Sequence, residues 1–139
     1  MKRLLFVCTG NAARSQMAEG LLRHFAGDRV EVESAGIHPS RVHPLAIEVM
    51  KELGIDISHH RSKSVDEFVR DHFDWVITIC DSAKQNCPVF PGIGERLHWS
   101  LPDPVSGPLI REEDQLQTFR QVRDRLRQHI SEFISTRLK

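Results

Sequence analysis

Hydrophobic and polar positions along the chain switch between two periods, and the switching outlines the fold. Leu4-Leu5-Phe6-Val7 is an unbroken apolar run closed by Gly10 and Asn11, the pattern of a strand buried on both faces. The period then lengthens: Met17, Ala18, Leu21, Leu22 and Phe25 share one stripe, which predicts a helix over about 15–25 with Gly27-Asp28 as its stop. Residues 30–35 alternate as a second strand. Pro44 suits the first turn of a helix running to about Leu53 and ended by Gly54, with Leu45, Val49, Met50 and Leu53 on its apolar face. Ser64-Val65-Asp66-Glu67 has the form of a capping box opening a short helix through Arg70. Residues 75–79 read as a third strand with Cys80 at its carboxyl end, and 96–99 as a short fourth. Pro102 and Pro104 forbid a helix around Asp103, and Leu116, Phe119, Val122, Leu126, Ile130 and Phe133 predict a last helix over 112–137.

Strands alternating with helices imply βαβ crossovers. The expected fold is α/β, a three-layer sandwich with a four-stranded parallel sheet, in a single domain covering 1–139. Ligands of such sheets bind beyond the carboxyl ends of the strands, which is where Cys8 and Cys80 fall.

Composition narrows the function. With 40% hydrophobic and 27% charged residues the chain reads as globular, and 19 basic residues balance 19 acidic ones. That balance removes any global electrostatic case for nucleic acid or membrane partners, so an anion preference must come from a local site. The apolar run after Met1-Lys2-Arg3 falls short of the roughly 7–15 residues of a signal-peptide core, and nothing approaches the ~20 of a membrane span. A cytoplasmic location is expected. Three cysteines in such a chain point to catalytic, redox or metal chemistry rather than a disulfide framework, with burial in the core equally open for any one of them.

Cys8-Thr9-Gly10-Asn11-Ala12-Ala13-Arg14-Ser15 links the first strand to the first helix. Successive N–H groups in such a turn, joined by the free N–H groups of the helix start, form an anion-binding nest. Gly10 and Asn11 tolerate the left-handed backbone that the curl needs. Arg14 adds a forked cation for two oxygens of one ligand. The same positive field favours the thiolate of Cys8, to which Ser15 can donate a hydrogen bond. A thiolate at the centre of an oxyanion cradle suits in-line attack on a tetrahedral centre.

The stretch 7–20, VCTGNAARSQMAEG, resembles the phosphate-binding loop of the low-molecular-weight tyrosine phosphatase superfamily, and more narrowly that of the thioredoxin-coupled arsenate reductases built on that fold. The resemblance extends through Ser34-Ala35-Gly36, residues 56–60, Ile79-Cys80, Asn86-Cys87-Pro88, His98-Trp99 and Asp103-Pro104. It implies oxyanion binding by Thr9, Gly10, Asn11, Ala12, Ala13 and Arg14, a Cys8 nucleophile supported by Ser15, and Asp103 as general acid. Read alone, Asp103 is equally a loop-capping residue before proline.

The phosphatases usually carry proline after the Arg-Ser pair and aromatic residues after Asp-Pro. Here Gln16 and Val105-Ser106-Gly107 stand instead, and the chain has no tyrosine. Phosphatase chemistry also has no use for Cys80 or Cys87. The resemblance therefore implies reduction of arsenate: attack by Cys8, then Cys80 on Cys8, then Cys87 on Cys80, with thioredoxin reducing the last disulfide. Hydrolysis of phosphate monoesters through a Cys8 phosphoenzyme is the alternative. Such a relay needs each thiol pair within about 7 Å (Cα to Cα) in turn, so 81–86 is expected to rearrange between redox states. No bound cofactor and no metal are expected, because the six-residue spacing of Cys80 and Cys87 exceeds the usual zinc spacing. Phosphate or sulfate is expected to occupy the arsenate loop, and a monomer is expected. Many relatives have cysteine at the position of Ala13, which the relay does not require. Some bind potassium through residues matching Asn11, Glu19 and Ser34 plus an acid where Lys63 stands. Lysine there competes with a cation, so no potassium is expected and Asn11 is assigned to holding the loop's shape. Neither His59 nor His60 is given a catalytic role.

Overall fold

The computed structural model describes residues 1–79, 94–105 and 111–138. Four strands, β1 (Arg3–Cys8), β2 (Glu31–Gly36), β3 (Trp75–Thr78) and β4 (Glu95–His98), form one parallel sheet in the order β2-β1-β3-β4. Among the described residues, three α-helices, α1 (Arg14–Ala26), α2 (Pro44–Lys51) and α3 (Glu112–Arg137), pack with it, and short 3-10 turns span Gly27–Arg29 and Val65–Phe68. The α/β class and the four parallel strands are those that the periodicity predicts. Leu4, Leu5, Phe6 and Val7 are fully buried, and β1 has a neighbour strand on each edge, as a central strand of a parallel sheet covered on its faces does.

Two elements are shorter than expected. After Lys51 the chain leaves α2 through tighter bonds, Leu53 N–H to Met50 O at 2.9 Å and Gly54 N–H to Lys51 O at 2.9 Å, with Gly54 at φ 76°. A left-handed glycine of this kind closes a helix end. The box at Ser64 begins only the 3-10 turn: its hydroxyl accepts from Asp66 N–H at 3.1 Å, and Glu67 is engaged by Arg61 at 2.6 Å.

Glu52, just past α2, ties that helix to α3. Arg120 donates to both its oxygens at 2.7–3.0 Å, and Arg123 donates to it at 2.7 Å and to Val49 O at 2.9 Å. The Arg120 hydrogen bonds, aided by Arg123 and opposed by burial, hold the Glu52 carboxyl at about 2. The pairing is therefore complete above the ordinary glutamate value of 4.5 and is lost as pH falls toward 2. Because the clamp is partly exposed, Glu52→Gln is expected to cost only about 1 kcal/mol near neutral pH. The difference from wild type in thermal unfolding should shrink through that acid window; a difference constant from pH 7 to 3 would assign the cost to packing.

The connection leaving β1 runs toward β2 and the one leaving β3 toward β4, so the sheet order reverses between β1 and β3. Such a reversal opens a crevice at the carboxyl ends of the two strands. The loop after Cys8 lies there.

Candidate active site

The loop's curvature can be read from where its carbonyl groups go. Ile37 N–H donates to Cys8 O at 3.2 Å, His38 N–H to Thr9 O at 2.8 Å, Ser40 N–H to Gly10 O at 3.1 Å and His43 N–H to Ala12 O at 2.9 Å. Gln16 Nε2 donates to Asn11 O at 3.1 Å, and Met17 N–H to Ala13 O at 2.9 Å. Six consecutive carbonyls are thus drawn outward. In a trans peptide the N–H points opposite its carbonyl, so the N–H groups of Thr9 through Arg14 turn to the concave side. The segment 37–43 is the outer strap that does most of this. It comes close enough only because Gly36 lacks a side chain: a Cβ there would lie 2.7 Å from Asn11 N and 2.8 Å from Thr9 O.

Asn11 is the one non-glycine residue described at positive φ, 47°, a conformation asparagine tolerates. All four of its side-chain hydrogen-bonding positions are used. Oδ1 accepts from Lys63 N–H at 2.8 Å and Gln16 Nε2 at 2.9 Å; Nδ2 donates to Ser15 Oγ at 2.7 Å and Ser34 Oγ at 3.0 Å. These contacts tie the loop to α1, β2 and the backbone at Lys63.

Cys8 lies at the floor of the cleft, 2% exposed, with Ser15 Oγ 2.8 Å from its sulfur. Since Ser15 already accepts from Asn11, its own proton is free for the sulfur. α1 begins at Arg14 without a side-chain cap, which leaves its first amides for a ligand. The Arg14 guanidinium is nearly buried; NH1 donates to Leu101 O at 3.3 Å and NH2 lies 3.6 Å from Asp103 Oδ2. The other oxygen of Asp103 accepts from Val105 N–H at 3.0 Å. Asp103 thus caps its turn and faces the loop at once. These groups line an open cleft of about 230 Å³ with Cys8, Gly10, Ala13, Arg14, Ser40 and Asp103 on its walls.

Behind the loop lies a buried charge cluster. Ser34 donates to Glu19 Oε1, Arg23 pairs with Glu19 Oε2 at 2.8 Å, and Lys63 Nζ lies 3.7 Å from Glu19 and 3.3 Å from Glu33. The His60 ring is held below its ordinary value by burial, which outweighs the pull of Glu19 at 3.7 Å. Lys63→Met leaves the buried Glu19 carboxylate short of one cation and is expected to cost about 3 kcal/mol in urea unfolding. A cost below about 1 kcal/mol would show that Arg23 alone neutralises it.

The structure brings Cys8, Arg14, Ser15 and Asp103 together with the loop 9–13. Cys80, Cys87 and the segment 81–86 lie outside the described residues. The described chain reaches Ile79, whose N–H donates to Val7 O at 2.9 Å, one residue short of the second thiol in sequence. Among the described residues, no group of three or more histidine, cysteine or acidic side chains is arranged to hold a metal. No described helix is long and apolar enough to cross a membrane. Sequence reasoning missed the strap 37–43 and the contacts of Gln16. The strap works through backbone N–H groups, which any sequence but proline supplies; Gln16 stood out only as the residue replacing a proline.

Residues 3–139 match the low molecular weight phosphotyrosine protein phosphatase family, and the chain belongs to it. Within that family it is 42% identical over 132 residues to arsenate reductase 2 of Staphylococcus epidermidis, covering 95% of each chain. A solved arsenate reductase in its phosphate-binding state superposes with a TM-score of 0.78 at 34% identity, covering all of both chains. A thioredoxin-dependent arsenate reductase of Corynebacterium glutamicum gives a TM-score of 0.70 at 33% identity over 99% of this chain and 64% of that one.

Proposed function

We propose that the chain reduces arsenate to arsenite by a three-thiol relay recycled by thioredoxin. One observation of geometry carries the oxyanion chemistry: the sulfur of Cys8 lies at the floor of a cleft toward which the loop turns its amides, with Arg14 and Asp103 at the wall. Full-length similarity to arsenate reductases, together with Cys80 and Cys87 in the sequence, supports reduction over hydrolysis.

In this reading Arg14 and the amides of residues 9–14 hold three arsenate oxygens while the Cys8 thiolate attacks arsenic and Asp103 protonates the departing oxygen. Cys80, as thiolate, next attacks the sulfur of Cys8. The S–As bond breaks with its electron pair staying on arsenic, arsenite leaves, and a Cys8–Cys80 disulfide remains. Cys87 attacks Cys80, freeing Cys8, and a thioredoxin dithiol takes the Cys80–Cys87 disulfide back to two thiols. Two electrons pass from sulfur to arsenic in each cycle. No bound cofactor enters. Lys63 supplies the charge beside Glu19, so turnover should be the same in sodium and potassium salts.

The deciding assay is arsenate-dependent NADPH oxidation with thioredoxin and thioredoxin reductase, run beside hydrolysis of p-nitrophenyl phosphate. Robust oxidation with slow hydrolysis is expected. No oxidation with brisk hydrolysis would make the chain a phosphatase.

A further inference from the structure

The hydrogen bonds behind Cys8 do not end at Asn11. Gln16, in the first turn of α1, is fully buried and makes four polar contacts. Its Nε2 lies 3.1 Å from Asn11 O, 2.9 Å from Asn11 Oδ1 and 3.0 Å from Arg61 O; its Oε1 lies 3.0 Å from His60 Nδ1. Three of these partners are carbonyl oxygens, which only accept, so the amide nitrogen must face them. Oε1 then faces His60, and Nδ1 of that ring carries the proton. His60 Nε2 is left with its lone pair and accepts from Arg23 NH1 at 3.3 Å.

Asn11 is fixed by the same logic. Lys63 N–H donates to its Oδ1, so its Nδ2 must face Ser15 and Ser34. Ser15 accepts there and has one proton to give, and the sulfur, which as a thiolate can only accept, lies 2.8 Å away. The donors therefore all point one way, from Arg23 to His60, Gln16, Asn11, Ser15 and Cys8. Hydrogen bonds polarise one another in such a chain, and this one ends on an atom that must be an anion to react.

Gln16 has a second hold on the loop. The carbonyls of Cys8, Thr9, Gly10, Ala12 and Ala13 are each held by a backbone N–H, whereas the hold on Asn11 O comes from the Gln16 side chain. Asn11 is also the residue in the left-handed conformation.

We propose that Gln16 is a positioning residue for the nucleophile: backed by His60, it fixes the Asn11 amide so that the one proton of Ser15 is delivered to the Cys8 sulfur. The charged or titratable groups facing this chain are Arg14 and Asp103 in the cleft and Glu19, Arg23 and Lys63, with Glu33 beyond, behind the loop, and the His59 ring packed 4.8 Å from that of His60. Exchanging Gln16 for a neutral side chain of similar length alters none of their charges. The competing view makes Gln16 a buried spacer that satisfies Arg61 O and joins 61–63 to the loop, with no bearing on the sulfur.

The test is the rate at which iodoacetamide alkylates Cys8 in the full-length protein, resolved from Cys80 and Cys87 by peptide mass spectrometry and followed over pH. It needs no arsenate, so its outcome stands apart from the proposed reaction. Gln16→Met is expected to slow Cys8 alkylation about fivefold near neutral pH, the worth of one lost hydrogen bond to the thiolate. The deficit should vanish at alkaline pH, where every variant is ionised. Ser15→Ala should slow it similarly, and adding Gln16→Met to Ser15→Ala should change nothing more. His60→Leu should act in the same direction, about twofold, as the more remote member of the chain. A wild-type rate in Gln16→Met, a deficit that persists at alkaline pH, or full additivity with Ser15→Ala overturns the proposal. If Gln16→Met fails to fold, His60→Leu carries the test, and an unchanged rate there overturns it.

Discussion

Replacing Cys87 with serine is expected to reduce thioredoxin-coupled turnover of arsenate to background while leaving one round of chemistry intact. In the proposed relay Cys8 and Cys80 suffice to pass two electrons to arsenic, so the variant should release one equivalent of arsenite and stop. It should then carry a Cys8–Cys80 disulfide, recognisable by mass after blocking free thiols. The arrest follows from access. Cys8 is 2% exposed at the floor of its cleft, and disulfide exchange needs an in-line approach to a sulfur. A bulky protein dithiol is not expected to follow arsenate there, which gives the proposed relay a physical reason for a third thiol. Cys80→Ser should instead release no arsenite without added thiol. Full steady-state turnover in Cys87→Ser would show that thioredoxin reaches the first disulfide directly, and the relay would then have two members.

The parts of the fold legible in the sequence were those with a strong period. The apolar run 4–7 and the seven-turn stripe of α3 admit one reading each, and the last helix falls on the expected residues. Cys8, Arg14 and Ser15 were legible because a buried strand, a Gly-Asn curl and a helix start together define an anion nest. The strap 37–43 was not legible, since its work is done by backbone N–H groups. Nor was the chain through Gln16 and His60. Gln16 stood out only as the residue in place of a proline, and the histidine pair read as a polar loop, until 16 and 60 are brought together across 44 positions. Lys63 was legible only against relatives with an acid there. Its contact with Glu19 joins residues far apart in sequence, and nothing local in either signals it.

Asp103→Asn carries the other large expectation: a loss of about 10²–10⁴ in arsenate turnover, the usual worth of a positioned proton donor. The substitution keeps the acceptor for Val105 N–H, since the amide oxygen can replace Oδ1, and so keeps the turn that aims the side chain. It removes the acid and the charge facing Arg14. Losing that partner leaves Arg14 freer to grip an anion, so phosphate should inhibit the variant at equal or lower concentration even as turnover collapses. Steps that involve only sulfur should be untouched: a Cys80–Cys87 disulfide formed in the variant should be reduced by thioredoxin at the wild-type rate. This split separates an enzyme from a thiol module whose purpose is redox sensing, because sensing has no use for an acid at the anion cleft. Wild-type arsenate turnover in Asp103→Asn would remove Asp103 from the chemistry and leave it the turn cap that its bond to Val105 already makes it.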